Sequence, residues 1–280
     1  MTGSAQARLR RLPRIRRARG YRLYTVDGGR ILDLWQAGGR AILGHRSGVV
    51  SVVKRVLDRG VLASMPSVQE RRLEQALRRL LGDDASLRFA VYTSRTRALE
   101  AVAAAIGLPA SCRPADPVRR TPEDAPGVEY WRPFLPAVPR NIPGAPPVAL
   151  LPILPDGGLF EAQTVVYPAG LGVTLPSDLV PEPALAALTA AAWALVSSGR
   201  RPVVRLPGFG RVGPYLVPEA VEDYDGVFDC FLRSGVLISP DPESPSIAPG
   251  ELSDGERACL ETTARAAAAQ SDGKRGTGGN

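Results

Sequence analysis

The spacing of apolar residues changes period several times along the chain, and each change marks an element. Leu23, Val26, Ile31, Leu32 and Leu34 flank Asp27-Gly28-Gly29. This pattern predicts two short strands and a tight turn, because glycine takes positive φ without a Cβ clash. A glycine-loosened loop follows, Gly38-Gly39 and then Ala41-Ile42-Leu43-Gly44-His45. Val49, Val53, Val56 and Leu57 share one face of a helix within residues 48–60, with Gly60 past its end. Ser67 to Leu81 is the clearest helix. Ser67 and Glu70 have capping-box spacing, Leu73, Leu77 and Leu80 make the stripe, and Glu74 can pair with Arg78.

Leu87–Tyr92 reads as a strand, Thr93-Ser94-Arg95-Thr96 as a turn, and Arg97–Ile106 as a helix. Such a turn points backbone N–H groups and hydroxyls at an anion. The proline-rich stretch 107–127 reads as a loop. Strands are expected over 130–138, 148–154, 163–167 and 201–206, with a turn at Pro155-Asp156-Gly157-Gly158. Residues 181–196 predict a buried alanine-rich helix with Trp193 in the core. Gly208, Gly210 and Gly213 have dinucleotide-loop spacing, but Pro214-Tyr215-Leu216-Val217-Pro218 follows where a helix should, so a loop between strands is expected. Helices over 219–234 and 254–270 complete the chain, with a disordered tail at 271–280.

Composition is ordinary for a globular protein, 44% hydrophobic and 22% charged. The net charge of +7 is uneven. Arg8, Arg10, Arg11, Arg14, Arg16, Arg17, Arg19 and Arg22 precede the first acid, Asp27, and removing these eight leaves −1. The basic character therefore sits on an N-terminal arm, solvated or packed on a partner. With no interleaved aromatics the arm is a poor nucleic-acid reader, and nucleic acid is not the expected partner. Cys112, Cys230 and Cys259 lack metal or disulfide-framework spacing, and a single histidine excludes His-based metal clusters. No Gly-x-Ser-x-Gly elbow is present. No apolar run is long enough for a membrane span and no signal peptide is visible, so a cytoplasmic protein is expected.

Gly20, Leu23-Tyr24, Asp27-Gly28, Ile31-Leu32-Asp33-Leu34 and Leu43-Gly44-His45, in that order, resemble the opening of class III aminotransferases, the fold-type-I pyridoxal-phosphate enzymes. The resemblance is carried most closely by residues 20–46, extends to about residue 105, and returns at Arg233-Ser234-Gly235-Val236-Leu237. It implies an α/β fold: a small N-terminal α+β segment plus a truncated three-layer α/β large domain. On that reading residues 1–19 are the basic arm, 20–82 small-domain segment, 83–215 reduced large-domain core, 216–270 C-terminal small-domain segment and 271–280 the tail. The family's phosphate-holding turn is Ser-Gly-(Ser/Thr)-Glu-Ala, which places cofactor binding on Ser94, Arg95 and Thr96. Arg95 stands for the glycine and Arg97 for the glutamate.

The resemblance also demands a Schiff-base lysine and an Asp-Glu-(Val/Ile) strand. The chain has two lysines, Lys54 on the first helix and Lys274 near the end, and no such strand in residues 107–215. Some relatives use histidine as the base, and His45 lies at the small-domain Leu-Gly-His position instead. No catalytic residue is assigned. The expected protein is a non-catalytic relative with a structural or regulatory role, pairing as a homodimer or with an intact relative. One alternative keeps pyridoxal phosphate or another small anion non-covalently, with residual or partner-completed transaminase activity. A third is an interaction module docking through its arginine-rich arm.

Overall fold

The computed structural model describes residues 3–45, 48–82, 86–109, 111–119, 121, 124–135, 149–199, 201–219 and 222–277, with 271–277 described by backbone alone. In chain order the elements begin with α1 (Gly3–Leu9), β1 (Ile15–Arg19), β2 (Arg22–Thr25), β3 (Arg30–Asp33), a 3-10 turn (Gln36–Gly39), α2 (Val49–Leu57) and α3 (Val68–Leu81). Then come β4 (Leu87–Tyr92), α4 (Arg95–Ile106), β5 (Arg113–Ala115), β6 (Asp124–Trp131), β7 (Ala149–Pro152), β8 (Gln163–Pro168) and α5 (Glu182–Val196). The chain continues through β9 (Phe209–Val212), β10 (Tyr215–Pro218), α6 (Tyr224–Arg233), β11 (Val236–Leu237), β12 (Ser246–Ile247) and α7 (Asp254–Thr277). It is a mixed α/β fold.

Two units form, one from residues 1–46 with 199–280 and the other from 47–198. These limits differ from the expected boundaries near 82 and 215. α2 and α3 pack on α5 and so join the central unit, while Val204, Leu206, Phe209 and Leu216 enter the core of the first.

In the first unit, β2 and β3 pair antiparallel across the Asp27-Gly28-Gly29 turn, with Gly28 at φ 87°. β1 adds beside β2, and β11 adds parallel to β3, giving the order β1-β2-β3-β11. Behind this sheet lie Leu34, Phe228, Phe231, Leu237, Ile238 and Leu260, all essentially without solvent contact. Burying each such side chain contributes about 1.5–3 kcal/mol. The N-terminal arm is part of this unit. Its helix precedes Pro13, and Arg8 is buried, donating to Pro240 O at 2.8 Å and pairing with Asp225 at 3.0 Å. No strand forms over 201–206, although Val204 and Leu206 enter the core. The Gly208–Gly213 segment is a hairpin, β9 against β10. α7 continues to Thr277, beyond the expected end at Gln270, and residues 278–280 of the expected tail lie outside the described residues.

The second unit carries a five-stranded mixed sheet in the order β4-β8-β7-β6-β5. One face bears Ala90, Tyr92, Val128, Leu151, Val165 and Tyr167, packed with Ala98 and Val102 of α4. α3 lies by the other face, where Arg78 stacks over Phe89 and donates to Leu87 O. The capping box at Ser67 and Glu70 forms, and Arg78 pairs with Glu74 at 2.8 Å. Val49, Val53 and Val56 of α2 are buried, but Leu57 is exposed. The 107–127 stretch is not all loop. β5 forms at the sheet edge, where Pro114 is tolerated, and β6 starts at Asp124. Parts of the strands expected over 130–138 and 148–154 lie outside the described residues. Trp193 is 44% exposed instead of core, because α5 surfaces over its last two turns along Ala190, Trp193, Ala194 and Ser197.

Candidate functional site

The turn between β4 and α4 is the place the sequence marks for an anion. Ser94 is the helix N-cap, extended at φ −151°, and its Oγ accepts the amide N–H of Arg97 at 3.2 Å. Arg95 and Thr96 are already in the first turn of α4, so the expected four-residue turn shortens to Thr93-Ser94. The helix itself leaves the N–H groups of Arg95 and Thr96 without intrahelical acceptors. The Arg95 guanidinium is drawn off the turn and lies 5.4 Å from the Tyr130 ring centroid.

A carboxylate already sits on this turn. Asp178 Oδ2 accepts the Thr93 N–H at 3.1 Å and the Thr93 hydroxyl at 2.9 Å, and Oδ1 lies 3.5 Å from Arg97. Burial raises the Asp178 pKa, but the Thr93 donors and Arg97 outweigh it and hold it below the ordinary value. The segment is pinned by Asp178 N–H to Val91 O and by Val91 N–H to Ser177 Oγ. Beneath the turn, the Tyr92 hydroxyl is pushed up to about 12, first by burial and then by Tyr167 and Asp178. Its oxygen has no hydrogen-bond partner among the described residues.

Lys54 is exposed, on the opposite side of α2 from the Val49, Val53 and Val56 face that packs inward. Lys274 lies in the backbone-only part of α7. The residues described at this turn include no lysine, and a phosphate there would meet the Asp178 charge.

His45 belongs to the first unit, where it is a carboxylate-held imidazole. Its Nε2 is 2.8 Å from Asp33 Oδ2, and its amide donates to Gly20 O. Asp33 is 1% exposed, and its Oδ1 also accepts the N–H of Trp35 and Gln36 at 2.9 Å each. Gln36 and Ala37 hold left-handed φ values of 48° and 51°, which costs about 1–3 kcal/mol each. Among the described residues no group of three or more His, Cys, Asp or Glu side chains could hold a metal ion, and no helix is long and apolar enough to cross a membrane.

No family model matches the chain. An ω-transaminase from Sphaerobacter thermophilus superposes with TM-score 0.60 at 16% identity, covering 93% of this chain and 91% of that one. An ornithine aminotransferase from Plasmodium yoelii gives 0.63 at 12% identity, over 91% and 93%. An acetylornithine aminotransferase from Elizabethkingia anophelis gives 0.58 at 12%, over 91% and 94%.

The fold is that of the fold-type-I aminotransferases.

At these identities the likeness is one of fold. In sequence, the chain is 35% identical over 134 residues to an uncharacterised protein of Treponema pallidum, and 45% identical over 58 residues to one of Borreliella burgdorferi. The matched stretches span 39% and 22% of those relatives' lengths.

Asp178 was not marked by sequence reasoning, since it lies far from Thr93 in sequence and in a proline-rich loop. Asp33 carries a local signal for its role. An aspartate just before a glycine-rich loop is suited to accepting backbone N–H groups two and three residues on.

Proposed function

We propose that this protein is an aminotransferase-like chain that does not itself exchange amino groups and serves a structural or regulatory role. It would work as a homodimer or beside an intact relative. The observation that supports this most directly is a transaminase fold whose α4 turn faces an internal carboxylate, while Lys54 stands exposed on α2. Schiff-base catalysis needs a lysine amine against the cofactor, and every later proton transfer depends on it.

The test is purification of the full chain with pyridoxal phosphate, then absorbance near the aldimine band, borohydride reduction and mass analysis. The expected result is no stoichiometric pyridoxyl adduct and no amine transfer from amino acids to 2-oxo acids. A single-site adduct on Lys54 or Lys274, or steady transamination, overturns the reading.

A second reading is supported by the open N–H groups of Arg95 and Thr96. On it, Ser94, Arg95 and Thr96 retain pyridoxal phosphate or another small anion without a covalent bond. Phosphate titration of the parent and of Asp178→Ala separates the two.

A further inference from the structure

The eight arginines ahead of Asp27 divide into two groups in the structure. Arg8 pairs with Asp225 at 3.0 Å, Arg11 with Asp225 and Asp229 at 2.7 and 2.9 Å, and Arg22 with Glu256 and Glu251 at 2.7 and 3.2 Å. These three are structural. Arg10, Arg14, Arg16, Arg17 and Arg19 are exposed and have no carboxylate partner among the described residues. The five uncompensated charges fall within residues 10–19, three of them on β1.

β1 is an edge strand. It pairs with β2 on one side, and its sheet ends there. Ile15, Arg16, Arg17 and Arg19 are exposed, while Ala18 is half-buried against the core, so the face that carries Arg17 and Arg19 stays open. Arg16 is the extra residue of a bulge between the Ile15–Thr25 and Arg17–Tyr24 pairs, which leaves Arg17–Arg19 as the regular part of the edge. Charge on an edge repels a second copy of the same edge. Charge of one sign does not repel an acidic strand.

We propose that β1 is a docking edge for an extended acidic peptide segment of a partner protein, added as a further strand beside β1. Main-chain N–H and C=O groups of Arg17–Arg19 would fix the register, as in other strand additions. Arg17 and Arg19 alternate to one face of the strand, and their planar forks match carboxylates bidentately. Arg14 and Arg16 meet acidic residues flanking the paired stretch. Single-stranded nucleic acid fits less well, because it needs open aromatic faces. The one ring beside β1, Tyr24, is already covered by Arg17 at 4.4 Å.

The experiment uses the full chain and a fluorescein-labelled peptide of alternating glutamate and valine, read by anisotropy. Three controls accompany it: a lysine–valine peptide, a glutamate–valine peptide N-methylated at alternate amides, and the exposed double variant Arg16→Glu/Arg19→Glu with its fold checked by circular dichroism. The expected result is saturable binding of the acidic peptide that weakens steeply with salt. Charge reversal and N-methylation should each weaken it by about tenfold or more, equivalent to about 1.4 kcal/mol. Absence of saturable binding at low salt overturns the proposal, as does unchanged binding by the double variant or the N-methylated peptide. Tighter binding of single-stranded RNA or phosphatidylserine vesicles through the same arginines also overturns it.

Discussion

Asp33 fixes His45: one carboxylate oxygen lies 2.8 Å from the imidazole Nε2, while the other accepts the backbone N–H groups of Trp35 and Gln36. The same carboxylate thus holds the ring and the left-handed backbone at Gln36. Asp33→Ala strips a buried acceptor from three donors and should destabilise the protein by about 2–4 kcal/mol. His45→Ala removes a half-buried ring and should lose only about 1 kcal/mol. Denaturant midpoints of the two variants check the order.

Stability in acid should depend on Glu256. Two hydrogen bonds from Arg22 hold its carboxyl down at about 2, against the opposing effect of burial and with help from Ser253. A depressed folded-state pKa stabilises fully above the unfolded value near 4.5, and that contribution disappears as pH falls toward about 2. Glu256 is only 9% exposed, so the contribution is about 2–3 kcal/mol. Thermal melts from pH 5 downward should show this loss, and Glu256→Gln should flatten that part of the profile.

Gly44 should tolerate no side chain. Its φ is +88°, and a Cβ there would lie 3.2–3.3 Å from the backbone of Gly20, which cannot swing aside. Gly44→Ala should destabilise by about 1–3 kcal/mol. Gly28→Ala is a control for the backbone term alone, since it has a similar φ and open space around it. Equal losses in the two variants would mean that the contact with Gly20 is unimportant.

Ser67→Ala should weaken the start of α3. The hydroxyl accepts the Gln69 N–H, and Glu70 returns a bond to the Ser67 N–H. Losing the cap costs about 0.5–2 kcal/mol. The measurement is the shift in urea midpoint, with Ser67→Asp expected to restore most of it.

Asp178→Ala tests the turn before α4. Removing the carboxylate frees the Thr93 N–H and hydroxyl and leaves Arg97 paired with Glu100 alone, at 3.3 Å. Affinity for inorganic phosphate, followed by isothermal titration, should rise from undetectable in the parent to measurable in the variant. Detectable phosphate binding by the parent would favour the anion-binding reading of Ser94, Arg95 and Thr96. No binding by either protein would remove that reading.

Local chemistry was the legible part of the sequence. The Ser67 cap, the Asp27-Gly28 turn and the strand–turn–helix at Leu87–Ile106 each depend on neighbouring residues, and each forms. What depended on distant residues was not legible. Arg8 looks like one more arm charge until Asp225 and Pro240 surround it. Trp193 looks like core because α5 is apolar throughout, and only the packing of its neighbours decides which face stays open. Before α4, the strand–turn–helix pattern marks where Ser94 caps the helix, whereas its negative neighbour Asp178 arrives from a separate loop.

The parallel pairing of β11 with β3 has a consequence for synthesis. Leu32 and Leu34 donate backbone bonds to Gly235 and Leu237, residues the ribosome adds some two hundred positions later. Until then the opening hairpin has an unsealed flank and no hydrophobic backing from α6. The stretch between, residues 47–198, is continuous and carries its own sheet, so it can close first while the leading segment waits. Nascent chains halted before Gly199 should therefore protect the middle from protease and leave the beginning open to cleavage.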